Sequence, residues 1–354
     1  MFFSLPSKPN KRISYICRPV ASQPPAQLMN LWSVYHPEIP GFVREIAATP
    51  PLRRLMEVGM NCGCEYTSFS RFAHLEPYSR YDHSLGCALI VWHFSGDKRQ
   101  AAAALLHDIA TPAFAHVIDF LNGDHDRQES TEAGAADIIQ ACAELMEVLG
   151  RHGLSLDEVC DYHRYPLADN DTPRLSSDRL EYSLGNIVNY RIATRQEAAS
   201  WYGHLVTGLN EEGIEELMFD DTAAALAFAS GALKASRIYV ADEDRFAMQM
   251  LAELLKKHIG RGVLSKEDLY TTEPQVIGLL EKDARAAADW QRFRAYRRMV
   301  PAAGQPQARR ISAKKRHIDP YVKGKGRLSV ISPFYSAQLR DFLALDFGQP
   351  VCGE

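Results

Sequence analysis

Between Tyr81 and Asp108 the chain writes two helical segments back to back, with only Gly96-Asp97 to separate them. In the first, His83, Cys87 and Ile90 recur at i, i+4 and i+7, one face of a helix. The second, residues 98–109, has the best helix-forming composition of the chain in its alanine run. His107-Asp108 close that segment, and Thr111-Pro112 stop it. Two helices packed antiparallel across so short a break set His83 opposite His107-Asp108.

Histidine is concentrated around this pair. Five of the twelve imidazoles (His83, His93, His107, His116, His125) lie between Arg80 and Asp126, where even scattering would place fewer than two. Metal and acid/base sites use such clusters, because imidazole is both a ligand for borderline divalent metals and a proton carrier near neutral pH. An adjacent His-Asp pair at a helix end can send both side chains to one ion; in mid-helix the two would diverge by about 100°. Two imidazoles and a carboxylate leave positions open for water and substrate, as a catalytic metal requires. Asp178, an acid at a helix start in Leu175-Ser176-Ser177-Asp178-Arg179-Leu180-Glu181-Tyr182, is the best candidate for a fourth ligand.

Other features set bounds. Net charge is −4 and hydrophobic content 46%, ordinary for a globular chain and no argument for a nucleic-acid binder. No apolar run approaches the roughly 20 residues of a membrane span. Seven scattered cysteines, an odd number, do not read as a disulfide framework, so a cytoplasmic location is expected. Residues 1–40, with seven prolines, read as an irregular arm with a short strand at 12–17. Helical patterns resume at Phe42 and Leu52 and then fit 128–150, 155–164, 176–192, 194–209, 222–259, 265–270, 273–299 and 333–347. Strand-like alternation is scarce. The expectation is an all-α bundle: an arm at 1–40, a helical core at 41–260, and C-terminal helices with a basic tail at 261–354. In that tail Arg309, Arg310, Lys314, Lys315, Arg316, Lys323, Lys325 and Arg327 face a single acid, Asp319.

The order His83, His107-Asp108, Asp178 resembles the H…HD…D signature of the HD-domain metal-dependent phosphohydrolases. Pro51-Leu52-Arg53-Arg54-Leu55, Ser79-Arg80-Tyr81-Asp82-His83-Ser84-Leu85-Gly86, and His107-Asp108-Ile109 with Pro112, Phe114 and His116 are similar to the deoxynucleoside triphosphate triphosphohydrolase branch. The likeness covers roughly residues 45–190. It implies an HD-domain helical bundle in which His83, His107, Asp108 and Asp178 hold one divalent metal ion. Mn, Fe, Co, Ni, Zn and Mg all remain open. It further implies that His116 and His125 lie near the phosphates, one contacting them and one moving a proton. Tyr182 would lie by the nucleotide, with Arg80 and Arg179 as phosphate contacts and Asp108 as an acceptor of the water's proton. Two positions depart from the branch: Ala110-Thr111 replaces Gly-His or Gly-Asn, and Asn186 replaces an acid. Both touch the pocket and not the metal.

The expected function is metal-dependent hydrolysis of a nucleotide, nearest to a dNTP triphosphohydrolase. A 5′-nucleotidase or phosphodiesterase on the same centre, and a non-catalytic nucleotide sensor, remain open. The expected partners are a nucleotide and further copies of the chain, with no membrane. Nucleic acid is not favoured, although the 309–327 basic segment offers it a surface; phosphates, a regulatory nucleotide at a subunit boundary and a solvated tail are the competing readings.

Overall fold

A computed structural model of the chain describes Ile16 and residues 31–122 and 134–354. Four helices carry the region of interest. Helix α1 (Arg80–Ser95) opens on a capping box, in which the Ser79 side chain accepts from Asp82 N and the Asp82 carboxylate accepts from Ser79 N. It ends on Gly96 at φ 61°, a left-handed cap that glycine adopts without strain. Asp97 at once caps α2 (Lys98–Leu106), accepting from Arg99 N. Ala101, Ala102, Ala103 and Ala104 are all buried, and their small side chains let α1 and α2 approach closely.

Helix α3 (Ser177–Asn189), capped by Ser176, packs across α1 at two glycines. A Cβ on Gly86 would lie 2.6 Å from Cγ of Glu181, and one on Gly185 would lie 2.5 Å from the Tyr78 hydroxyl. Only the missing side chains admit those two partners. Helix α4 (Thr222–Tyr239) lies on the other side of α3.

The expected helix over 222–259 is two. Val240-Ala241 leave helical geometry, and a further helix, α5 (Asp242–Gly260), starts on Asp242, Glu243 and Asp244. Three acids suit the positive end of a new helix better than the middle of an old one. Residues 273–299 likewise divide into α6 (Glu273–Glu281) and α7 (Ala284–Ala295), the latter capped by Asp283. The expected C-terminal helix is present as α8 (Pro333–Leu343).

The all-α expectation needs correction. The chain is helix-rich with a small four-stranded sheet in the order β1-β2-β3-β4. The helix expected over 194–209 stops at Tyr202, and β1 (Leu205–Leu209) forms an antiparallel hairpin with β2 (Glu215–Phe219). Asn210 Oδ1 accepts from Glu212 N and Ile214 N, and Gly213 takes φ 75°, which makes the turn. The alternation escaped notice because β2 is buried along four of its five residues. β3 (Tyr321–Val322) pairs in parallel with β2, and β4 (Gly326–Arg327) closes the sheet. Arg327 reaches back to the fully buried Glu216 at 2.6 and 2.7 Å, so the basic C-terminal stretch is part of the fold.

Two apolar clusters result. One gathers α1 to α4 with the sheet. The other gathers Cys62–Phe72, residues 113–118 and α5 to α7. No helix among the described residues is long and apolar enough to cross a membrane. The arm's expected strand lies outside the described residues, save for Ile16, which is buried.

Candidate metal centre and its cavity

Three helices deliver four side chains to one place. His83 comes from the first turn of α1, His107 and Asp108 from the end of α2, and Asp178 from the first turn of α3. His83 Nε2 lies 3.0 Å from Asp178 Oδ1 and 3.2 Å from His107 Nε2. Asp108 Oδ2 stands 3.7 Å from His107 Nε2 and 4.0 Å from His83 Nε2, and Asp178 Oδ1 stands 3.7 Å from His107 Nε2. Ligands about 2.1 Å from a common ion sit about 3.0 Å apart at right angles and about 3.4 Å apart in a tetrahedron. The observed spacings run from the right-angle value, 3.0 Å, to 4.0 Å, somewhat beyond the tetrahedral one.

The partners behind the ligands aim them. His83 Nδ1 faces Glu181 Oε2 at 2.6 Å, and Glu181 also accepts from the hydroxyls of Tyr78 and, at 3.3 Å, Tyr35. His107 Nδ1 donates to Ala104 O at 2.7 Å. With both Nδ1 atoms carrying their protons into these bonds, both Nε2 lone pairs point into the shared space, the arrangement that metal-binding histidines require. Thr111 donates to Asp108 Oδ1 at 2.7 Å and Arg80 to Oδ2 at 3.0 Å.

Electrostatics agree. Burial opposes ionisation of Asp108, but Arg80 and the two imidazoles outweigh it and hold the carboxyl well below its usual range. Asp178 is held down in the same way, by His83 above all. Burial would strip His83 of a proton, yet Cys87, Asp178 and Glu181 raise its pKa well above the ordinary value. The site thus attracts positive charge. Cys87 Sγ belongs to the same group of donors, which lie within 4.8 Å of one another with His83, His107 and Asp178. Burial pushes its thiol up to about 12, so it stays protonated at neutral pH, and Asp108 is the better ligand. The donor set fits one divalent cation.

The quartet lines a cavity of about 190 Å³. Tyr182 and Asn186 follow Asp178 at four-residue spacing along α3 and also line it, as does Tyr162, whose ring lies 5.1 Å from that of His107. Asn186 is buried. Lys314 and Arg316 also line it.

His116 reaches the cavity from a loop that carries backbone strain. Phe114 and Ala115 take φ 62° and 44°, a region that costs non-glycine residues about 1–3 kcal/mol each. Neighbours hold the loop there: Ala113 N donates to Leu269 O at 2.7 Å and Phe114 N to Glu273 Oε1 at 3.2 Å. Asp119, fully buried, fixes the His116 ring through Nδ1 at 3.0 Å. Burial, with Arg80 and Arg316 in support, lowers the His116 pKa, so its imidazole is neutral at pH 7.

One expected residue stands elsewhere. Arg179 does not line the cavity: its guanidinium donates to Asn170 and to Arg174 O and pairs with Asp169, pinning the loop before α3. Its guanidinium is used in the fold and not toward the cavity. His125 lies outside the described residues. The residue that sequence reasoning missed is Glu181. Glu181 was findable, since i+3 from Asp178 keeps it near the same helix face.

No family model matches the chain. It is 27% identical over 249 residues to the uncharacterized protein YdhJ of Bacillus subtilis, covering 68% of this chain and 71% of that protein. It is 25% identical over 281 residues to the metal-dependent phosphohydrolase cns2 of Cordyceps militaris, covering 75% and 78%. In structure it resembles a hypothetical protein from Aquifex aeolicus, with a TM-score of 0.59 at 17% identity over 84% of this chain and 90% of that one. That last likeness is one of fold.

Proposed function

We propose that this protein is a metal-dependent phosphohydrolase acting on nucleotides, nearest in kind to a dNTP triphosphohydrolase. The observation that carries the reading is the convergence of His83, His107, Asp108 and Asp178 within 4.0 Å contacts, open to a cavity. The similarity to a protein named a metal-dependent phosphohydrolase supports the reaction class.

A divalent cation bound by the quartet supplies Lewis acidity toward a phosphoryl oxygen and toward water. The chain's own residues do the rest. Arg80, held against Asp108, places a guanidinium beside the phosphoryl position. Asp108 stays ionised and orients an attacking water through one O–H. His116, neutral and fixed by Asp119, accepts a proton during attack. Returning that proton to the leaving oxygen would complete the cycle. Tyr182 offers an aromatic face one turn beyond Asp178 for a sugar or base.

A panel of nucleoside mono-, di- and triphosphates in ribo and deoxy form, tested on the metal-loaded protein, decides the substrate. Release of inorganic triphosphate from dNTPs is expected. Turnover of dNMPs alone would move the assignment to a 5′-nucleotidase.

A further inference from the structure

Helix α3 lays a row of side chains along the cavity. Asp178, Tyr182, Asn186 and Tyr190, spaced four residues apart, all line it, with Tyr190 as the residue that caps the helix. At 1.5 Å per residue the row extends roughly 18 Å along the helix axis, away from the metal position. Asp244 stands at its Tyr190 end. Of the neighbouring charges, that of Asp244 acts most on the Tyr190 hydroxyl, which donates to Asn61 Oδ1 at 3.2 Å.

Asp244 is a carboxyl that the proposed hydrolysis leaves unused. It comes from the first turn of α5, lines the cavity and is 8% exposed. Among the described residues its carboxyl makes no ion pair, receives one weak hydrogen bond, from Cys64 Sγ 3.7 Å from Oδ2, and receives none at Oδ1. Arg245, next in sequence, directs its guanidinium to Val240 O, Ile311 O and Asp242. Burial raises the Asp244 pKa to about 8; Glu243 adds to the rise, while Cys64, Arg71 and Arg245 oppose it. Cys62, Cys64, Glu65, Tyr190 and Tyr239 also feel its charge, and burial holds each of them toward its uncharged form. At neutral pH Asp244 is therefore largely an undissociated acid, with an O–H to give and a carbonyl oxygen to receive.

We propose that Asp244 is the residue that reads the nucleobase, hydrogen-bonding the polar edge of the heterocycle at the Tyr190 end of the cavity while the phosphates lie toward the metal quartet. The assignment rests on the nucleotide reading for its substrate and on the α3 row for its direction. A planar nitrogen heterocycle suits this end for two reasons. Tyr182, Tyr190 and Tyr239 offer aromatic bodies, and Met60 and Met248 adaptable thioethers, to the faces of a ring. The edge of every base carries ring nitrogens or carbonyl oxygens that accept a hydrogen bond, most of them beside an N–H that donates one, which is the complement of an undissociated carboxyl. A phosphate group is an acceptor only and could use the O–H alone. Of the other carboxylates lining the cavity, Asp108 and Asp178 face the metal position, which leaves Asp244 as the acid available to the far part of a substrate.

The test uses the full chain loaded with Mn²⁺ and measures its affinity for the four dNMPs and for 2-deoxyribose 5-phosphate, which lacks a base. Affinity is read as Kd by calorimetry, or as KM where a probe is hydrolysed. We expect wild type to prefer the best-bound dNMP over the base-less probe by at least about tenfold. That preference should fall severalfold in Asp244→Ala and in Asp244→Leu, which fills the volume without a polar atom. Affinity for the base-less probe and the content of bound Mn²⁺ should stay as in wild type. Asp244→Asn, whose amide still donates and accepts, should largely keep the preference. An equal preference in wild type and in the Ala and Leu variants would overturn the assignment, and so would a parallel loss for both probes, the mark of a merely structural carboxyl. Turnover on the same preparations separates the two claims: a lost base preference with no hydrolysis of any phosphate ester sinks the enzyme reading and leaves Asp244 standing. Hydrolysis with an unaltered preference does the reverse.

Discussion

Glu181 stands behind His83, its Oε2 2.6 Å from Nδ1, on a helix that also supplies Asp178 to the other face of the same ring. One helix therefore grips a single imidazole from both sides, with a ligand in front and an orienting carboxylate behind. Burial raises the Glu181 pKa, and His83 and Tyr78 oppose that by hydrogen bonding to the charged form. We expect Glu181→Gln to weaken metal affinity by about 10–100-fold. Stoichiometry at saturating metal should stay the same. An unchanged affinity in a metal titration would mean that the carboxylate is only structural.

Gly86 is what allows Glu181 that position. A methyl group there would strike Glu181 along its length, at Cγ (2.6 Å), Oε1 (2.7 Å) and Cδ (2.8 Å). Gly86→Ala should destabilise the chain by about 1–3 kcal/mol, the usual cost of overpacking, and lower metal affinity at the same time. Denaturant unfolding together with a metal titration reads both. Loss of stability with intact affinity would separate the glycine from the site.

Arg54 is buried, and its guanidinium donates to Ile109 O at 3.2 Å, Thr111 O at 2.6 Å and Thr271 O at 3.0 Å. It ties the turn after Asp108 to the stretch leading into α6. Arg54→Ala leaves those carbonyls buried and unpaired at roughly 1–3 kcal/mol each. We expect a loss of about 3 kcal/mol or more by denaturant unfolding; a change under about 1 kcal/mol would show that water replaces the guanidinium.

Much of the site was legible in the sequence, and the reason is local. Antiparallel packing across Gly96-Asp97 sets His83 opposite His107-Asp108, and both segments could be read as helices from their own residues. Asp178 followed from an acid at a helix start. What was hidden depends on long-range packing. Nothing near Lys314 says that it faces a cavity, because the direction of the chain between Ile311 and Asp319 is set by contacts with Arg245, Tyr335 and Pro173, all distant in the chain. Arg179 was misplaced for the converse reason: its chemistry suits phosphate equally well, and only the loop carbonyls show where it is used. The sheet was missed because β3 and β4 have two residues each, too short for any alternation to register.

Two buried acids predict a pH dependence of stability. Desolvation pushes Asp244 up to about 8, against the opposing hydrogen bond from Cys64, and burial with the neighbouring Glu273 raises Glu65 to about 8. An acid with a higher pKa in the fold than in the unfolded chain holds its proton better when folded. Its contribution is complete below the ordinary carboxyl range and is lost as pH rises through about 8, at roughly 1.4 kcal/mol per unit of separation. The melting temperature should therefore fall more steeply between about pH 5 and about pH 9 in wild type than in Asp244→Asn or Glu65→Gln. Parallel curves for all three would contradict it.

The most direct measurement is metal content joined to turnover. Purified protein, wild type beside His107→Ala and Asp108→Ala, is analysed for bound divalent metal and assayed against the nucleotide panel. We expect close to one ion per wild-type chain with phosphate-ester hydrolysis, and loss of both in each variant alongside a retained helical circular dichroism spectrum. A wild-type chain that binds no divalent ion, or hydrolyses equally well with His107 and Asp108 removed, would contradict the assignment of the quartet.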